Sequence, residues 1–382
     1  MIYMDNAATS FPKPESVYIA VDHFNRCLGG NPGRGSHHAT LKAGSILLDA
    51  REALSHLFNI KDCEQIAFTA NVTESLNIAL KGFLHPGDHV ISTSMEHNAV
   101  ARPLYTLSQQ GVEWTPVACA GDGSLDPEEI SKAIKPNTRM VCILHASNLT
   151  GTIMPIAEVG KICRENGLVF LVDSAQTAGV LPLDVEAQNI DLLAFTGHKG
   201  LLGLQGTGGL YVSSGIEIKP LKEGGTGSFS EHLQHPAFMP DRLESGTPNT
   251  PGIVGLLTGV EFILQTGREN IHRHEQELTE MLLDGLREIK GIKIYGPHDS
   301  KRQTAVIAFN IDDVDCGELS MQLDYQYGIV TRSGLHCTPL GHQTIGTLES
   351  GSCRLSPGYF TTKEEIEMVI KAVYGISKQT GG

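Results

Sequence analysis

Two short polar segments that follow apolar runs carry the side chains best suited to chemistry. Leu168-Val169-Phe170-Leu171-Val172 leads into Asp173-Ser174-Ala175-Gln176, and Leu192-Leu193-Ala194-Phe195 leads into Thr196-Gly197-His198-Lys199. If the runs are strands of a parallel sheet, both segments lie beyond carboxyl ends, where open α/β sheets collect ligands. A lysine and a carboxylate at that depth suit pyridoxal phosphate, which needs an amine to hold its aldehyde as a Schiff base and an acid to keep its ring nitrogen protonated. Lys199 and Asp173 fit those roles. The phosphate needs an anion cradle, and the stretch from Phe68 to Ser75 reads as a strand, a turn and a helix start. Thr73 fits there as a phosphate contact or as the helix N-cap. Two more strand ends supply His97, flat enough to stack on the ring, and Asn148, whose amide suits the ring's phenolic oxygen.

The elements that must position these groups follow from the apolar pattern. Short runs at Gln65–Thr69, His89–Thr93, Met140–His145, Leu168–Val172, Leu192–Thr196 and Gly209–Val212 read as buried strands. Between them helices fit at Thr73–Gly82 and at Ile156–Asn166, the latter entered through Pro155 and stopped at Gly167. Strands alternating with helices predict a mostly parallel sheet covered on both faces. From about Pro251 the pattern changes to helices running to Thr266, from Asn270 to about Lys290 and over Lys363–Tyr374, with strands around Lys293 and at Ala305–Asn310. This predicts a large α/β domain over 14–255 and a smaller α+β domain over 256–382 that takes in 1–13.

The 382 residues are 40% hydrophobic and 19% charged, the profile of a folded globule. A net charge of −14 gives no general attraction to nucleic acid or anionic membranes, and neither is expected as a partner. The eight cysteines are scattered, with no Cys-x-x-Cys pair, and no export or spanning segment is read; the expected location is cytoplasmic.

Asp173-Ser174-Ala175-Gln176, Thr196-Gly197-His198-Lys199, Ser147-Asn148-Leu149-Thr150-Gly151 and Leu243-Glu244-Ser245-Gly246-Thr247-Pro248-Asn249 together resemble the class V aminotransferase superfamily, specifically cysteine desulfurases and selenocysteine lyases. The motifs run in family order from Met4-Asp5-Asn6-Ala7-Ala8-Thr9 to Cys353-Arg354-Leu355-Ser356. The resemblance implies a fold-type I pyridoxal phosphate enzyme, with a mostly parallel seven-stranded sheet and a homodimer sharing its active sites. It assigns Lys199 to the Schiff base, Asp173 to the ring nitrogen, His97 to stacking, and Gln176 and Asn148 to the ring oxygen. Thr73, Thr196 and His198 resemble the phosphate cup, and Gly225-Thr226 the segment that reaches the neighbouring subunit's phosphate. Arg354 matches the arginine for the substrate carboxylate, with Arg332, Asn6 and His37 as further candidates for that pocket.

Arg332-Ser333-Gly334-Leu335-His336-Cys337 resembles the segment whose cysteine takes sulfur from the substrate as a persulfide. The implied reaction converts L-cysteine to L-alanine, with an acceptor protein as a further partner and L-selenocysteine as the alternative substrate. Leu335 stands where many relatives carry a second histidine, and little chain lies between Gly224 and Leu243 for a shielding hairpin, so Cys337 is expected to be open to solvent. A transamination or β-elimination with Cys337 a bystander is the alternative within the family. A metal or sulfur-relay scaffold built on His336, Cys337 and His342, with His37-His38, is the alternative outside it. Adjacent His and Cys chelate poorly and no cysteine lies at zinc-finger spacing, so no metal is expected.

Overall fold

Strands buried on both faces need apolar residues at consecutive positions, and such runs build the centre of this protein. The computed structural model describes residues 1–33 and 37–380. A short N-terminal strand, β1 (Ile2–Tyr3), pairs in parallel with Ile329–Val330 near the other end of the chain. The main sheet contains β2 (Ile66–Thr69), β3 (His89–Thr93), β4 (Glu113–Val117), β5 (Thr138–Leu144), β6 (Val169–Asp173), β7 (Leu192–Thr196) and β8 (Gly208–Val212). Their order is β2-β8-β7-β6-β5-β3-β4, and β8 alone runs against both neighbours. The parallel strands β7, β6, β5 and β3 therefore present their carboxyl ends to one edge.

The strands expected at His89–Thr93 and Leu192–Thr196 form with those bounds. Unanticipated from the sequence, β4 contains Pro116 and exposed Glu113, features tolerated because this is an edge strand. The helix expected at Thr73 begins at Val72, and its N-cap is Asn71, whose side chain accepts from the Glu74 N–H at 3.0 Å. Thr73 is thus not the capping residue, and its exposed hydroxyl lies in the first turn.

The second sheet has the order β12 (Arg332–Gly334), β13 (Ser352–Leu355), β10 (Ile307–Ile311), β9 (Ile292–Tyr295), while β11 (Ile329–Val330) carries β1. One apolar cluster packs helices Arg268–Arg287 and Lys363–Thr380 on this sheet and includes Ile2 and Met4. The expected division after residue 255 falls inside the helix Thr250–Thr266.

An ion pair ties the loop after Leu243 to the sheet edge that precedes Thr73. Arg51 donates through Nη2 to Glu244 at 2.7 Å and through Nε to the Ile66 carbonyl, while Glu244 also accepts from the Phe68 N–H. Both side chains are largely buried, at 11% and 21% exposure. Glu244→Ala would leave the guanidinium without its counter-ion, and a loss of about 3 kcal/mol is expected in urea unfolding. A loss under about 1 kcal/mol, the scale of an exposed pair, would contradict this reading.

Candidate active site

The chain leaves β6 at Asp173 and β7 at Thr196, and strand pairing sets Asp173 beside Ala194. Asp173 and Lys199 line one cavity together with His97, Asn148, Gln176 and Val72. Asp173 is 5% exposed, and one oxygen accepts from the Ala175 N–H at 2.9 Å. Burial pushes its carboxyl up, against the pull of that N–H and of Lys199. Burial holds the Lys199 amine down at about 8, reinforced by Arg354 and Arg332 and opposed by Asp173 and Asp5.

His97 caps the helix Asn98–Ser108, its Nδ1 accepting from the Ala99 N–H at 3.0 Å. That bond assigns the ring proton to Nε2. Burial, then Lys199, Arg332, Arg354 and Arg102, hold the imidazole down at about 4, so it is neutral near pH 7. His198 is held at about 4 by burial, Lys199 and Lys13, and its Nδ1 is buried with no partner among the described residues. Thr196 is buried, and its hydroxyl donates to the Thr207 carbonyl at 3.4 Å.

The N-terminal segment from Ala7 to Lys13 braces the lysine. Ser10 Oγ donates to the Lys199 carbonyl at 2.8 Å, and Lys13 Nζ donates to the His198 carbonyl at 2.8 Å. Thr9 Oγ1 and the Ser10 N–H reach that same His198 oxygen. Burial without a carboxylate partner lowers Lys13 to about 8. Gln176 joins the strap by donating to the Ala7 carbonyl at 3.1 Å.

Arg354 is 1% exposed, with Nη1 donating to the Asn148 carbonyl at 2.8 Å and Nη2 to Asp5 at 2.7 Å. Its Nε is buried with no partner among the described residues. Arg332 faces Arg354 across the strand pair β12–β13 and is half-buried. Asp5, 349 residues from Arg354, was not anticipated as part of this site. Asn6 supports the same region, with Nδ2 donating to the Ser356 carbonyl at 3.0 Å and Oδ1 accepting from the Phe11 N–H.

Cys337 is exposed, as expected, and lies in a turn fastened to the cavity walls. Its carbonyl accepts from the Asn98 N–H at 2.8 Å, beside His97. Asn148 Nδ2 donates to the His336 carbonyl at 2.8 Å, and Asn148 Oδ1 accepts from Thr338 Oγ1 at 2.8 Å. The Asn148 amide, expected to serve a ring oxygen, is seen tying the Cys337 turn to the cavity.

Two other expected residues lie elsewhere. His37 is the exposed N-cap of the helix His38–Phe58, with Nδ1 accepting from the Thr40 N–H, and lines none of the described cavities. The structure places it at a helix end rather than in the substrate pocket. Thr226 lines a separate cavity of about 550 Å³ with Arg51, Glu74 and Lys222, apart from Lys199. Among the described residues no group of three His, Cys, Asp or Glu side chains could hold a metal, and no helix is long and apolar enough to cross a membrane.

Pyridoxal phosphate fits this arrangement: a buried carboxylate and an amine share one cavity, and the buried Nδ1 of His198, next to that amine in the chain, has no partner among the described residues. The chain matches the aminotransferase class-V family over residues 2–369. It is 34% identical over 374 residues to a probable cysteine desulfurase of Methanothermobacter thermautotrophicus, covering 96% of this chain and 92% of that protein. Identity to a cysteine desulfurase of Haloferax volcanii is 33% over 383 residues, covering 98% and 88%. The apo structure of a cysteine desulfurase from Thermococcus onnurineus superposes with a TM-score of 0.92 at 31% identity, over 99% of this chain and 95% of that one. On the family match and these near-full-length relatives, the chain belongs to the class V aminotransferase family.

Proposed function

We propose that the protein is a pyridoxal phosphate-dependent cysteine desulfurase that converts L-cysteine to L-alanine and takes the sulfur on Cys337. The observation that carries this reading is the fastening of an exposed thiol's turn to Asn98 and Asn148, neighbours or members of the wall around Lys199 and Asp173. Lys199 would hold the cofactor, Asp173 its ring nitrogen, His97 its face, Gln176 and Asn148 its ring oxygen, and Thr73, Thr196 and His198 its phosphate. When bound, the cofactor supplies a sink for the electron pair released at the substrate's Cα.

The chain's own residues do the rest. Arg354 receives the substrate carboxylate on the edge that carries its unpartnered Nε, with Arg332 adding positive charge from the facing strand. Lys199 removes the Cα proton as an amine, the form that burial favours. The Cys337 thiolate attacks the sulfur on Cβ: an S–S bond forms, the C–S bond breaks, and its electron pair stays with carbon. Protons returned to carbon, for which the Nε2–H of His97 is placed, give alanine and leave the persulfide on Cys337.

Thr226 lines a cavity that does not include its own Lys199, which favours a homodimer in which it serves the neighbouring copy's phosphate. The unpaired cysteines agree with a cytoplasmic location. An acceptor protein would then relieve Cys337 of its sulfur.

The test is alanine and sulfide formation from L-cysteine with a reductant, with L-selenocysteine in parallel. Alanine from L-cysteine supports the desulfurase. Turnover of selenocysteine alone replaces it with a selenocysteine lyase, and failure of both in a protein that retains its cofactor points to another amino acid.

The lowered Lys199 also sets a pH dependence for cofactor capture. Only the neutral amine condenses with an aldehyde, so uptake by cofactor-free protein should quicken about tenfold per pH unit below 8 and level off above it. A rise continuing towards the ordinary lysine value of 10.5 would show that burial does not perturb the amine.

A further inference from the structure

The turn that carries Cys337 adopts an unfavourable backbone. His336 and Cys337 have φ of 47° and 60°, two consecutive non-glycine residues in the left-handed region. Such a conformation persists only where surrounding contacts over-determine it. Asn148 and Asn98 hold the two carbonyls, and the Thr338 N–H closes the turn on the Leu335 carbonyl at 2.9 Å. The His336 side chain points inward, 4% exposed, with Nε2 at 3.0 Å from the Ser352 carbonyl.

One contact remains without a role in the reaction. The His336 ring stacks on the ring of His342, with centroids 5.7 Å apart and planes 22° from parallel. His342 is fully buried in the helix Pro339–Ile345, which follows the thiol. Its N–H donates to the Thr338 carbonyl, and its carbonyl accepts from the Thr347 N–H. Its Nδ1 meets Thr347 Oγ1 at 2.7 Å, whereas its Nε2 and the Nδ1 of His336 have no partner among the described residues. Each ring makes a hydrogen bond through one nitrogen, to Ser352 and to Thr347, and the two rings meet each other through their faces. Burial holds His336 at about 3 and lowers His342, so both rings are neutral and no charge opposes the stack.

We propose that His342 is a positioning residue for the Cys337 thiol, acting through the stack that fixes His336 and so the left-handed turn. The proposal rests on Cys337 being the sulfur acceptor and adds a residue that touches neither substrate nor cofactor. Two substitutions separate ring from hydrogen bond. His342→Phe keeps the stacking face and loses the bond to Thr347, whereas His342→Asn keeps an amide near Nδ1 and loses the ring.

The experiment measures three quantities on the holoenzyme and both variants: alanine formation from L-cysteine, exchange of the α-proton of L-alanine with deuterated water, and alkylation of the thiol by iodoacetamide. Exchange needs Lys199 and the cofactor but not the thiol. In His342→Asn, desulfuration should fall on the order of 10²-fold, the scale of a reacting atom displaced by about 1 Å. Exchange should stay within about twofold while alkylation of Cys337 changes rate. His342→Phe should match the wild type in all three. Equal desulfuration in both variants, loss in Phe with exchange intact, or parallel loss of exchange and desulfuration would each overturn the proposal. Should the wild-type protein make no alanine from L-cysteine, the sulfur-acceptor reading fails by itself. The inference about the turn is then decided by alkylation, which must differ between Asn and Phe.

Discussion

Lys199→Ala is expected to abolish turnover of L-cysteine, by roughly four orders of magnitude or more, because in the proposed mechanism one side chain both holds the cofactor and moves the α-proton. Lys199 is the amine on the cavity that Asp173 also lines. Lys13 is the other lysine close by, but its Nζ is engaged by Ser10 Oγ and the His198 carbonyl, so it is not free to substitute. The variant should fold normally, since burial opposes both the Lys199 cation and the Asp173 carboxylate, and Asp173 keeps its bond from the Ala175 N–H when the amine is gone. Far-ultraviolet circular dichroism together with the visible absorption of added pyridoxal phosphate checks both halves. A variant that retains a tenth of the activity would move the catalytic amine elsewhere.

The second large effect is selective. Cys337→Ala should lower alanine formation from L-cysteine by roughly 10²-fold or more while leaving exchange of the α-proton of L-alanine close to the wild-type rate. The selectivity follows from geometry: the thiol sits on an exposed turn held through backbone carbonyls, and the Asn98 N–H and Asn148 amide still have their acceptors when the sulfur is gone. Cys142, Cys163 and Cys353 cannot replace it, being buried in apolar surroundings that raise their thiols well above the ordinary value. Unchanged desulfuration in Cys337→Ala would make the cysteine a bystander and favour a transamination or β-elimination.

What the sequence disclosed of this arrangement depended on how local each signal was. β7 was legible because strands buried on both faces are continuous apolar runs, and β3 because of its β-branched Val90, Ile91 and Thr93. β4 was not, because an edge strand can carry Pro116 and the exposed Glu113. Asp173 could be found because it directly follows an apolar run, and Lys199 because it lies in the short polar segment after another. Asp5 could not, since only the folded chain brings it to Arg354, and a carboxylate in a turn has no pattern that names its partner. The cap of the helix after Ala70 was read as Thr73, whereas the structure gives that role to Asn71. His37 was read towards the substrate pocket by resemblance, whereas its ring is spent on the N–H of Thr40. The left-handed turn at His336 and Cys337 had no glycine to announce it. His342 mattered only once its ring was seen against His336.

The central claim is that sulfur passes from the substrate to Cys337. The direct measurement is the mass of the peptide containing Cys337 after the reductant-free holoenzyme has reacted with one equivalent of L-cysteine, beside the amount of alanine released. The account predicts one added sulfur atom on that peptide, removable by a thiol reductant, in step with alanine. Alanine released with the added sulfur on another cysteine, or on none, would contradict it.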